Sequence, residues 1–151
     1  MATNTQPSFI KSPLLWMVTL TNEVVNRSPG AAVPVLLGIS GASGSLIESI
    51  QAYPLGDVVA SPLRIFLKAS TSSNYVLLTE TSLSAVSGSG NTAAIANYPI
   101  EVQLPRILSP ASQTPATPNR GLRLPANYAL YVALGTAVTS GVIVTATGGD
   151  Y

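Results

Sequence analysis

Apolar and polar residues alternate with a period of two along much of the chain. The alternating segments are 16–21, 63–69, 98–104, 122–124, 130–134 and 142–146. Successive side chains of a strand leave opposite faces of a sheet, so this pattern is typical of half-buried antiparallel strands. Segment 33–39 is apolar on both faces, which is typical of a central strand. Segment 74–81 predicts a further strand, with Glu80 facing outward near its end.

Turn residues separate these segments at fairly regular intervals. Pro, Gly, Ser and Asn cluster at 28–30, 41–44, 54–56, 87–91 and 125–127. Segment 46–52 fits either a strand or a helix, because Ile47 and Ile50 also match helical spacing. About eight short strands with regular breaks predict an all-β, jelly-roll-like antiparallel β-sandwich, with a small barrel as the alternative. The chain length of 151 residues suits one such domain, which we assign to 14–151.

Two segments fall outside the strand pattern. Residues 1–13 are polar and contain two prolines, which predicts an extended N-terminal arm with Phe9 and Ile10 as apolar anchors on a partner. The alternative is a frayed terminus. Segment 106–121 is longer than most connections within a domain, and its prolines favour extended backbone. It is either a solvated loop or a contact for a neighbouring subunit, and its candidate contact residues are Pro110, Pro115 and Pro118.

The longest uncharged stretch, 128–149, has the length of a membrane-spanning helix. Gly, Ser and Thr occupy its middle, and its flanks alternate, so two strands joined by a short turn fit better. The sequence therefore predicts no membrane association. The Gly-rich stretch 35–45 is interpreted as a tight turn between strands. A phosphate-binding loop would require a Lys after its glycines, and none follows here.

Charged residues make up only 9% of the chain, and the formal net charge is +1. Soluble domains usually contain about 25% charged residues, so the composition favours a surface that is partly covered in an assembly. No basic run is present, which argues against nucleic-acid binding.

The chain contains no histidine and no cysteine, which excludes imidazole and thiol catalysis and makes a zinc site improbable. Glu80 and Glu101 are the best carboxylate pair for glycoside hydrolysis, yet a solvated strand face explains Glu101 more simply. We therefore expect no enzymatic activity, no metal and no cofactor.

Several motifs taken together resemble a protein family. They are a Gly turn before Ile47 and Ile50, the strand LRIF at 63–66, the strand LLTE at 77–80, the Leu-Pro-Ala turn at 124–126, and the C-terminal GGDY at 148–151. In this combination the chain resembles small virion structural proteins of tailed bacteriophages, over roughly its last two thirds.

The resemblance implies a β-sandwich structural protein of a phage particle. A capsid decoration (cement) protein is the leading hypothesis, which implies a homotrimer on the outer capsid surface in contact with the major capsid protein. A tail or neck component is the first alternative. A carbohydrate-binding β-sandwich is the second, because six tyrosines could supply a sugar platform.

Overall fold

The computed structural model describes residues 11–29, 33–87, 95, 98–104 and 121–151, and every regular element within them is a strand. The nine strands are β1 (Ser12–Leu20), β2 (Val35–Ile39), β3 (Ser45–Pro54), β4 (Ser61–Ala69), β5 (Val76–Leu83), β6 (Ile100–Glu101), β7 (Leu122–Leu124), β8 (Tyr128–Leu134) and β9 (Val142–Asp150). No helix that could cross a membrane occurs in these residues, and the uncharged stretch 128–149 forms β8 and most of β9.

The strands form two antiparallel sheets. The first sheet has the order β1-β9-β3, with β6 and β7 both pairing with the far edge of β3, and the second has the order β2-β8-β4-β5. The pairings are nested: β1 with β9, β2 with β8, β3 with β6 and β7, and β4 with β5. This is the arrangement of one long hairpin rolled into two sheets, which confirms the predicted jelly-roll-like sandwich.

The core lies between the two sheets and is built from the inward faces that the alternation predicts. Its largest fully buried members include Leu20, Ile47, Ile50, Leu63, Ile65, Leu83, Leu124, Leu130 and Leu134. Segment 46–52, whose sequence also fits a helix, lies within strand β3. The strand has a bulge between Ile47 and Ser49, and both Ile47 and Ile50 are buried in this core. The bulge places two residues opposite one and so brings both isoleucines to the same face.

A second, smaller apolar cluster lies on the outer face of the second sheet. Phe66 alternates with Leu63 and Ile65 and therefore points away from the main core, yet it is fully buried. Val24 and Ala133 pack against it, with Tyr75 and Tyr131 at the margin. Residues 21–29 leave the first sheet after β1 and cover this face, where Val24 donates a backbone hydrogen bond to Leu134.

Two element boundaries differ from the sequence pattern. β1 begins at Ser12, inside the segment predicted as an arm, and the preceding Lys11 N–H donates to the carbonyl of Asp150 at 2.8 Å. Of segment 98–104, only Ile100 and Glu101 pair as a strand. β6 and β7 pair with different parts of β3, β6 with Gln51 and Ala52 and β7 with Ser45 to Ile47. They therefore occupy two lengths of one strand position beside β3.

Candidate protein-binding surface

Exposed large apolar side chains are most numerous on and beside the edge strands β1 and β2, where Leu15 and Met17 lie on the outer face of the first sheet and Leu36 and Ile39 on the outer face of the second. Among the described residues eleven such side chains are exposed, and six of them lie on the edge strands β1 and β2 or just before β2. These six, which we call the β1–β2 surface, are Leu15, Met17, Val33, Val35, Leu36 and Ile39. Neither 12–20 nor 33–45 contains a charged residue. An exposed apolar surface of this kind is typical of a protein-binding site.

The backbone of β1 adds hydrogen-bonding groups to this side. The Leu55 N–H, just after β3, donates to the carbonyl of Gly141, just before β9. Because hydrogen-bonded positions alternate along an antiparallel strand, the backbone N–H and C=O groups of the odd-numbered β9 residues point toward β3. The backbone groups of the even-numbered β9 residues therefore bond to β1, where their partners in the register are the even-numbered β1 residues. Odd-numbered β1 residues direct their polar groups outward, and Pro13, which has no N–H, occupies one of these positions. The outward N–H groups belong to Leu15, Met17 and Thr19.

The other sheet edges carry features that discourage pairing with another strand. β6 and β7 are two and three residues long and carry Glu101 and Arg123. β5 carries Glu80, and β2 has five residues with an irregularity between Leu36 and Gly38. Short length, charge and bulges are the usual protections of an edge strand. β1 has nine residues, keeps an unbroken register and carries no charge, and its one protective residue, Pro13, lies near its start.

The outer face of the first sheet carries polar side chains on β3 and β9, and its exposed carboxylates, Glu48 and Glu101, lie on β3 and β6. Its polar side chains bond one another: Ser49 and Thr147 share a hydroxyl hydrogen bond of 2.8 Å, and the Tyr53 hydroxyl donates to Gln51 at 3.0 Å. The Ser49–Thr147 pair joins β3 to β9, and cross-strand pairs of this kind stabilise a sheet modestly. Because these groups are already paired, a partner can cover them at a lower desolvation cost than it would meet at charged side chains.

A close contact holds β1 and β2 together under this surface. The Trp16 indole of β1 lies directly over Gly38 of β2, where an added Cβ would come within 1.9 Å of the ring. Glycine is therefore required at this position for the ring to pack. Trp16 is partly buried against the main core, as expected from its place on an alternating strand. The contact couples the edges of the two sheets into one side of the sandwich.

A charged cluster on the opposite flank fixes residues 21–29 in place. Arg64 is 7% exposed and donates to Glu80 at 2.8 Å and to the carbonyls of Val24 and Val25 at 2.7 and 2.9 Å. Arg27 donates to the other side of the same carboxylate at 2.9 Å. Hydrogen bonds from Arg27 and then from Arg64 lower the pKa of Glu80 from 4.5 to about 2. Glu80 faces outward as predicted, but it joins two arginines and is not simply a solvated charge.

The structure does not bring Glu80 and Glu101 together. Glu80 lies on β5 of the second sheet, and Glu101 lies exposed on β6 of the first. The described residues contain no group of three acidic side chains that could hold a metal ion. The pair therefore lacks the facing geometry that glycoside hydrolysis needs.

Two of the described tyrosines, Tyr75 and Tyr131, are not arranged as a flat stacking platform. Tyr75 and Tyr131 meet edge to face with centroids 5.0 Å apart, and Tyr75 meets Phe66 in the same way. The ammonium of Lys68 lies 4.8 Å from the centre of the Tyr75 ring. These rings are engaged with one another and with a cation of the same chain.

An open depression of about 480 Å³ lies at one end of the sandwich. Its lining residues are Asp57, Val59, Ala137, Val138, Thr139 and Ser140. Ser140 donates to the backbone carbonyl of Asp57, and Ser87 donates to its carboxylate at 3.4 Å. The depression brings a single carboxylate together with hydroxyl and small apolar groups, which is not a constellation for acid–base catalysis.

Strand β1 begins at the opposite end of the sandwich. Ser12 pairs with Asp150, which pairs with Ser45, and Ser45 pairs with Leu124, so four strands converge there. The Ser45 hydroxyl donates to the Asp150 carboxylate and accepts from Gly41 N–H at 3.0 Å. These bonds anchor the C-terminal GGDY motif beside the point where the chain enters β1.

The predicted contact residues Phe9, Ile10, Pro110, Pro115 and Pro118 lie outside the described residues. Sequence reasoning did not single out Leu15 and Met17, although one signal pointed to them. Segment 14–18 is apolar on both faces and uncharged. That pattern fits either a central strand or an edge strand covered by a partner, and only the topology distinguishes the two.

No protein-family model, curated protein or solved structure matches the chain. The arrangement of the described residues is suited to contact with other protein surfaces: it combines an open strand edge, apolar side chains and an uncharged neighbourhood.

Proposed function

We propose that this protein is a structural component of a tailed-bacteriophage particle, a capsid decoration protein that binds the outer shell as a trimer. The observation that carries the proposal is the β1–β2 surface, whose six exposed apolar side chains lie on or just before two uncharged edge strands and suit contact between the subunits of an assembly. The jelly-roll-like fold and the motif resemblance given above support the phage setting. The proposed partner is the major capsid protein, and the proposed location is the capsid surface.

The proposed mechanism is additive burial of apolar surface. Full burial of a large apolar side chain contributes about 1.5–3 kcal/mol. Leu15 is 70% exposed and Met17 is 66% exposed, so covering this pair contributes roughly 2–4 kcal/mol per contact before the costs of association. Three linked subunits then attach with higher avidity than one, because each attachment raises the effective concentration of the next. Contacts of this kind stiffen a shell without chemistry.

The shell contacts are assigned to the arm and the Pro-rich loop, through Phe9, Ile10, Pro110, Pro115 and Pro118. The described residues that flank them, Lys11 and Gly121, adjoin β1 and β7 of the first sheet. The β1 side is assigned a separate role below.

The experiment mixes the purified chain with particles that lack it and measures bound protein by sedimentation. The informative variant lacks residues 1–10, because a longer truncation would remove Lys11 and Ser12 from their bonds with Asp150. Loss of two buried apolar anchors should weaken attachment at least roughly tenfold, while the unfolding midpoint stays unchanged. Unchanged occupancy would contradict the role of the arm.

The same experiment separates the alternatives. A chain that binds tails or necks but not shells would be a tail or neck component. A chain that binds neither particle, yet is retained on polysaccharide, would be a carbohydrate-binding module. Either result would overturn the decoration proposal.

A further inference from the structure

The β1 edge is long enough to form a substantial interface. Nine residues in extended conformation span about 30 Å, and two sheets about 10 Å apart give the side its width. With side chains included, such a side presents on the order of 600–800 Å² of accessible surface, close to the area that one partner buries in a stable complex. The β1–β2 surface occupies this side, and the Trp16–Gly38 contact holds its two strands together.

The chemistry of this side matches a second copy of the same side. A charged partner would lose solvation of its charges against 12–20 and 33–45, where no opposite charge compensates. A second copy carries the same uncharged strands, so neither charge repulsion nor unpaired charges arise on contact. The outward N–H groups at Leu15, Met17 and Thr19 can then bond strand carbonyls across the contact.

We infer that the outward edge of β1, with Leu15 and Met17, is the contact between copies of this chain. The inference goes beyond the proposed function, because a contact between two identical β1 edges is two-fold and joins copies in pairs, whereas a trimer needs a further contact. It rests on the proposed function only for the biological setting, since self-association is measurable without any particle. Leu15 and Met17 become buried in the oligomer. The outward backbone groups of β1 are covered by the neighbouring copy.

The test compares the molar mass of the full chain with that of two variants by light scattering at about 10 μM, near the affinity expected for a standard interface. Leu15→Lys combined with Met17→Lys places two charges on the β1 edge. Val76→Lys is the matched control, because Val76 is 61% exposed on β5, another edge strand. We expect an oligomer for the unmodified chain and for Val76→Lys. We expect self-association at least about a hundredfold weaker for the double variant.

A second variant tests the backbone contribution. Met17→Pro removes an N–H that faces away from β9, so the β1–β9 pairing persists while the edge loses a donor. Its oligomer should be weakened with an unfolding midpoint close to that of Met17→Ala. Because the contact contains no charge, the mass of the unmodified chain should not fall between low and high salt.

A monomeric unmodified chain, or a double variant that remains oligomeric, would overturn the inference. A monomer that binds shells through Leu15 and Met17 would assign this edge to a shell protein and would also overturn it, while leaving the proposed function standing. An oligomer that dissociates in the double variant but never binds shells would support the inference and contradict the proposed function.

Discussion

Replacing the buried Arg64 with methionine should loosen residues 21–29 from the outer face of the second sheet. Arg64 is the donor that joins this segment to β4, through the carbonyls of Val24 and Val25. Methionine keeps much of the aliphatic volume and removes all of the donors. The replacement therefore tests the hydrogen bonds more than the packing.

The expected loss of unfolding free energy depends on whether each acceptor of Arg64 finds another donor after the replacement. The bond to Val24 is buried, so its loss leaves a carbonyl without a partner at about 1–3 kcal/mol. Val25 is 62% exposed, and its carbonyl can bond water instead. Glu80 keeps its bond with Arg27, so no carboxylate is left unpaired. We expect a net loss of about 1–3 kcal/mol, smaller than the roughly 3–5 kcal/mol for breaking a buried ion pair and leaving one charge unpaired.

Urea unfolding at pH 7 measures this loss, with hydrogen exchange of the Val24 amide as the local readout. That amide donates to Leu134 and should exchange faster when the segment detaches. Arg123→Met is the control, because Arg123 is exposed on β7, and it should change stability by no more than about 0.5 kcal/mol. An Arg64→Met variant within that same margin, with unchanged exchange at Val24, would refute the assignment of Arg64 as the anchor.

Two further predictions concern acid stability and the contact between the sheet edges. The pKa of Glu80 is depressed from 4.5 to about 2 in the folded state, so its contribution is complete above about pH 4.5 and is lost as the pH falls toward 2. Glu80→Gln should therefore lose less stability between pH 5 and pH 2.5 than the unmodified chain, by urea midpoints; parallel losses would contradict this. Gly38→Ala should cost about 1–3 kcal/mol by overpacking against Trp16. It should also shift the emission of this single tryptophan to longer wavelength, and an unchanged spectrum and midpoint would disprove the contact.

Period-two alternation and turn residues were enough to predict an all-β sandwich and most of its strands. The reason is local: a strand that is buried on one face records that face in its own residues. Leu63, Ile65, Leu130 and Val132 all lie in the core as their alternation indicates. Nothing in that pattern states which strands become neighbours, because pairing joins residues far apart in the chain, such as Ser12 and Asp150.

Tertiary structure alone decided which faces and edges meet solvent. Phe66 is buried on an outer face because residues 21–29 cross over it, a contact between segments about forty residues apart. Leu15 and Met17 resemble core residues in sequence, yet they are exposed because they project from the outer face of the first sheet, which no described segment covers at these two residues. Alternation determines that a strand has two faces. Long-range pairing determines what covers each face, and that is why the β1–β2 surface became visible only in the folded chain.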